Sequence, residues 1–82
     1  MNEQHKHVLT VLDFIPTNQQ SIFVKMAGYD AVLGKNFEGE VKFLNGTPFG
    51  DLIHPDRSSL SPACREFVRE DLVTRYNEGQ FN

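Results

Sequence analysis

Tryptophan is absent from the chain, and cysteine occurs once, as Cys64. A single cysteine excludes an internal disulfide, so the fold has to hold by packing, which suits a reducing compartment. No apolar run approaches the ~20 residues needed to cross a bilayer. The opening MNEQHKHVLTVLDF lacks the basic start and long apolar stretch of a secretory signal, so the expected location is the cytoplasm. Also missing are a glycine-rich phosphate loop, a metal-ligand set and a nucleophile in a recognisable frame. The expectation is therefore a protein that is not an enzyme and takes no cofactor and no metal. Positive charge is scarce as well. A net charge of −3 gives no footprint for duplex DNA, although all the arginines fall between positions 57 and 75.

What is present is globular. Hydrophobic residues make up 39% of the 82 positions and charged residues 23%, with seven Phe and two Tyr. This is one domain, 1–82, with residues 1–6 polar and expected to fray. A chain of this size buries roughly 60–65% of the surface it exposes when unfolded, so its core is small.

Hydrophobic periodicity divides the chain into elements. Residues 7–15, HVLTVLDFI, alternate imperfectly and predict a strand bounded by Pro16. PTNQQ is a turn cluster, and 21–26, SIFVKM, predicts the returning strand. Residues 27–36, AGYDAVLGKN, carry breakers at Gly28 and Gly34 and read as a loop or a single helical turn. Residues 38–45 alternate well, with Val41 and Phe43 on one side and Glu40, Lys42 and Leu44 on the other. Asn45-Gly46 signals a tight hairpin turn, and Thr47 to Ile53 the return strand, with Pro48 placing it near an edge.

The C-terminal part predicts a helix over about 61–78. Ser61 suits the N-cap, Pro62 the first helical position and Gly79 the terminus. Cys64, Val68, Leu72 and Tyr76 recur every fourth residue and form an apolar stripe, widened by Phe67 and Val73. The expected fold is α+β: a small antiparallel sheet of about four strands in two hairpins, with the C-terminal helix packed on one face.

Residues 39–56, GEVKFLNGTPFGDLIHPD, resemble the opening hairpin of the cold-shock domain. Gly39, Val41, Lys42, Asn45, Phe49, Gly50, Ile53, Pro55 and Asp56 stand in that family's order, and Phe43 stands where the family has Trp. The resemblance implies single-stranded nucleic acid binding, with Phe43 and Phe49 stacking on bases and Lys42 meeting phosphate. Asp51-Leu52 departs from the family's second aromatic and puts a negative charge on the platform. Residues 50–60 are also similar to a stretch that PAS sensor domains carry before a helix. Taken by themselves, these residues form a strand exit and a turn.

Other candidates come from the residues alone. Arg65 and Arg69 lie one turn apart and border the apolar stripe near Tyr76. They form an edge on which the guanidinium fork could meet a partner's carboxylate or phosphate. Strand spacing puts His5 and His7 on one face, but two ligands do not make a metal site. Cys64 would pair with His54 only if the fold joined them, and its stripe position makes it a small core residue. The leading expectation is a small non-enzymatic protein-interaction module of the inhibitor or adaptor kind, binding through Arg65, Arg69 and Tyr76. The alternative is single-stranded RNA or DNA binding through Lys42, Phe43 and Phe49. A homodimer is compatible with both.

Overall fold

The computed structural model describes residues 6–17 and 20–81. The expected frayed segment therefore lies, apart from Lys6, outside the described residues. Four strands run in chain order, β1 (Val8–Pro16), β2 (Ser21–Asp30), β3 (Lys35–Leu44) and β4 (Thr47–Phe49), followed by a helix, α1 (Pro62–Asn77). Each strand pairs antiparallel with the next, giving the sheet order β1-β2-β3-β4. This is the α+β architecture expected, with the two hairpins joined by a third turn.

The imperfect alternation of β1 has a structural cause. Its register with β2 shifts between Val11 and Asp13, so Leu12 is an extra residue. The β-bulge resets the phase of the strand. Val11 and Phe14, three positions apart, both pack against the core, while Asp13 and Ile15 stay exposed.

The segment 27–36 is a correction to the sequence reading. Only residues 31–34 turn, closed by Gly34 N–H on the Asp30 carbonyl at 2.8 Å; β2 continues to Asp30 and β3 begins at Lys35. Gly28 does not break the strand, because it pairs with Phe37. A Cβ there would meet Phe37 Cζ at 2.5 Å and the Val8 carbonyl oxygen at 2.1 Å. Only glycine fits under that ring, so the residue that looks like a breaker is a packing contact.

The turn is organised by Asp30, whose Oδ1 accepts from the backbone N–H of Val32 at 3.0 Å and Leu33 at 3.1 Å. Gly34 closes it in the left-handed region (φ 67°). The Asn45-Gly46 turn forms as its sequence predicts, with φ of 52° and 87°. β4 is shorter than expected. It ends at Phe49, and Asp51–Ile53 wind into a 3-10 turn whose Leu52 lies over Gly39. Pro48 has no N–H to extend the ladder.

The helix begins where its caps predict. The Ser61 hydroxyl accepts from Cys64 N–H at 3.2 Å, and Pro62 opens the first turn. At the other end Gly79 (φ 78°) turns the chain back, and Gln80 N–H bonds to the Arg75 carbonyl at 3.0 Å. That reversal buries Phe81 at 2% exposure, with its ring 5.5 Å from Phe14 and 5.9 Å from Phe43. Cys64, Val68 and Leu72 close over Val24, Met26, Val41 and Phe43 to form the core. The helix covers one face of the sheet and leaves the other open. None of the helices among the described residues is long and apolar enough to cross a membrane.

Candidate functional site

The open face follows from the two-residue period of the strands. Cross-strand pairing aligns Ile15 with Phe23, Phe23 with Lys42, and Lys42 with Phe49. The four side chains form one row across all four strands. Ile15 is 56% exposed, Phe23 39% and Phe49 52%, so the row is an apolar ridge in water. Lys42 Nζ sits 5.3 Å from the centroid of the Phe23 ring, within the range of a cation–π contact. Leu44, also exposed, adds to the same end of the sheet. The next row toward the middle of the strands is charged: Asp13 pairs with Lys25, and Lys25 with Glu40. Further along, Thr10 is aligned with Ala27 and Ala27 with Glu38.

Two of the three residues proposed for nucleic acid binding share this face. Lys42 and Phe49 are neighbours on it. Phe43 is not on it. Its side chain is fully buried beneath α1, stacked on Tyr76 with centroids 4.9 Å apart and planes 14° from parallel. The sign of the alternation decides this, since Phe43 has the phase of Val41 and so of the core. The exposed ring next to Lys42 belongs instead to Phe23, which sequence reasoning passed over. A signal was available: Phe23 and Lys25 are out of phase with Ile22, Val24 and Met26.

The three residues proposed for a protein-binding edge do not form one patch. Arg65 and Arg69 lie at the helix surface, and their guanidinium groups make no hydrogen bond or ion pair with another described residue. Tyr76 is eleven positions beyond Arg65, about 16 Å along the axis at 1.5 Å per residue. Its ring lies between Phe43 and the turn at Gly46, where a Cβ would meet Tyr76 Cε1 at 3.3 Å. It locks the hairpin to the helix.

A polar cluster that sequence reasoning missed lies in the interior. Donor atoms of His7, Asp30 and Cys64 lie within 4.8 Å of one another. Asp30 is fully buried and accepts from Ser61 N–H at 2.7 Å and the Ser61 hydroxyl at 2.9 Å, besides its two turn amides. Burial works to raise its pKa, but these four hydrogen bonds outweigh it and hold the carboxyl below its ordinary range. Burial first, then the Asp30 charge and a hydrogen bond to it, push the Cys64 thiol up to about 11. His7 Nδ1 accepts from Ala31 N–H at 3.0 Å, and its ring packs on Phe67 at 5.5 Å.

Every acceptor in the cluster thus already faces an N–H, O–H or S–H donor, and no buried side-chain nitrogen or oxygen among the described residues lacks a partner. A cation here would have to displace backbone amides. The cluster is a hydrogen-bonded lock joining the start of β1, the end of β2 and the N-terminus of α1. The imidazole beside Cys64 is that of His7, and His54 is exposed, its Nδ1 accepting from Asp56 N–H at 3.0 Å. His5 lies outside the described residues.

No family model matches the chain, and neither the curated proteins nor the solved structures give a match.

Proposed function

We propose that the protein is a small non-enzymatic interaction module of the cytoplasm, and that it binds another protein through the open face of its sheet. The observation that carries this reading is the exposed row Ile15–Phe23–Lys42–Phe49, apolar at both ends and aligned by register. An exposed apolar ridge with a polar surround is the ordinary character of a protein contact. The acids Asp13, Glu38 and Glu40 on the same face outnumber Lys25 and Lys42, and weigh against a polyanion. The helix edge at Arg65 and Arg69 is set aside, because Tyr76 is committed to the core. A buried thiol held protonated, with its imidazole neighbour already accepting a hydrogen bond, supports the non-enzymatic part.

A second reading is single-stranded nucleic acid binding on the same face, with Phe23 in place of Phe43. Its support is Lys42 lying between two exposed rings, a base-stacking arrangement with a phosphate partner.

One pair of experiments separates the two. A photoreactive phenylalanine analogue is placed at Phe49, and separately at Arg69 as a control. The protein-binding reading expects a discrete protein adduct of defined mass from position 49, absent from position 69 and lost on Phe23→Ser. NMR titration with short single-stranded oligonucleotides is the other arm. Salt-sensitive shifts at Phe23, Lys42 and Phe49, without a protein adduct, would replace the first reading with the second.

A further inference from the structure

Resting on the protein-binding reading, we infer that the partner is a second copy of this chain, packed face to face on the open sheet with a two-fold axis parallel to the strands between β2 and β3. Three observations lead there.

The first is that the β1 edge is guarded and the face is not. The free edge of β1 carries the Leu12 bulge and ends in Pro16, and both features block the addition of another strand. On β4, Pro48 offers no N–H to a further strand, and Leu52 of the 3-10 turn packs over Gly39 on the core side of the sheet. Strand addition at β1 is therefore disfavoured, while the ridge on the face stays in water.

The second is charge complementarity under one specific symmetry. A two-fold axis parallel to the strands keeps each row at its own height and reverses its order. Lys25 then faces Glu40 of the other copy, and Glu40 faces Lys25. In the next row Phe23 faces Lys42 of the other copy, and Ile15 faces Phe49. These correspondences follow from the pairing of Lys25 with Glu40, Phe23 with Lys42, Ile15 with Phe23 and Lys42 with Phe49. An axis perpendicular to the strands and passing through the charged row would set Lys25 on Lys25 and Glu40 on Glu40. Packed sheets cross at about −30°, so the match is best kept near the axis. The residues flanking the axis are those of β2 and β3, the two strands that carry the complementary charges. Asp13, on β1, falls at the wet rim.

The third is area. At about 3.4 Å per residue and about 4.8 Å between strands, the three long strands offer a face of about 30 by 15 Å. That is about 450 Å² before side-chain relief, below the ~800 Å² per partner of a standard complex and in the range of small, weak contacts. A dissociation constant on the order of micromolar fits such a contact.

The test is sedimentation equilibrium of the full chain from about 10 μM to about 1 mM, with the Kd read directly. Lys25 and Glu40 are exposed, so their variants keep the fold, which circular dichroism checks. Lys25→Glu alone and Glu40→Lys alone should each weaken the dimer by about tenfold or more, and the double variant should restore it to within a few-fold. A chain that stays monomeric throughout overturns the inference. If position 49 still crosslinks to a different protein, the wider reading stands without the homodimer. A dimer indifferent to both charge reversals and to Phe49→Ser would use another surface and overturn the inference.

Discussion

Asp30 and Ser61, thirty-one positions apart, are joined by two hydrogen bonds at the buried junction of β2 and α1, and Ser61 passes the contact on to Cys64 N–H. One carboxylate thereby forms the β2–β3 turn and fixes the entry of the helix.

Replacing that carboxylate should be costly. Asp30→Ala leaves the Ser61 amide and hydroxyl without their acceptor in the interior, and the Val32 and Leu33 amides without theirs in the part-buried turn. At about 1–3 kcal/mol for a buried unsatisfied group, a loss of about 3 kcal/mol or more is expected, read by urea denaturation. Ser61→Ala removes one donor to Asp30 and the helix cap, and should cost about 1–2 kcal/mol.

The same group sets the acid limit. Its folded pKa lies below the 3.8 of an ordinary Asp side chain, so its contribution is fully present above that value and is lost as pH falls through the folded pKa. Thermal melts should therefore decline below about pH 4, and the Asp30→Asn variant should lose that part of the decline. A variant with the same acid profile as the parent would mean that other carboxyls set it.

Cys64 works at the opposite limit. With its thiol pushed up to about 11 in the fold, the stability it gives is complete below its unfolded pKa of about 9 and is lost as pH rises through 11. In native protein at pH 8 a thiol reagent should label it only through unfolding, so the labelling rate should follow urea concentration. Rapid labelling without denaturant would contradict its burial.

The two phenylalanines of the 39–50 hairpin should separate by stability. Phe43→Ala empties a fully buried site and should cost about 3–5 kcal/mol, whereas Phe49→Ala on the open face should fall within about 0.5 kcal/mol. Paired denaturation curves check this, and similar midpoints for the two would refute the assignment of faces.

The helix was the most legible element, because its signals agree: a Ser-Pro entry, a four-residue apolar stripe and a glycine exit. The two hairpins could be read from alternation and turn residues. The 27–36 segment could not, since Gly28 marks a break locally and acquires its partner, Phe37, only when β3 folds back. Phe81 escaped notice because it lies beyond the helix terminator, and only the reversal at Gly79 returns it to the core. The site was half legible. Lys42 and Phe49 are legible as neighbours on one face, while the cold-shock resemblance adds Phe43 to them and the alternation, which gives Phe43 the phase of Val41, places it in the core. The His7–Asp30–Cys64 lock joins three distant segments and has no local pattern.

The extra residue in β1 has a genetic consequence. Without Leu12 the strand would read Leu9, Val11 and Phe14 inward, with Thr10, Asp13 and Ile15 outward, in unbroken alternation. Loss of a single codon would therefore straighten the strand and improve its pairing with β2. It would also leave a flat, regular margin of the kind on which strands of further chains can add, so a one-codon deletion is expected to raise the tendency to form fibres, read by dye-binding kinetics.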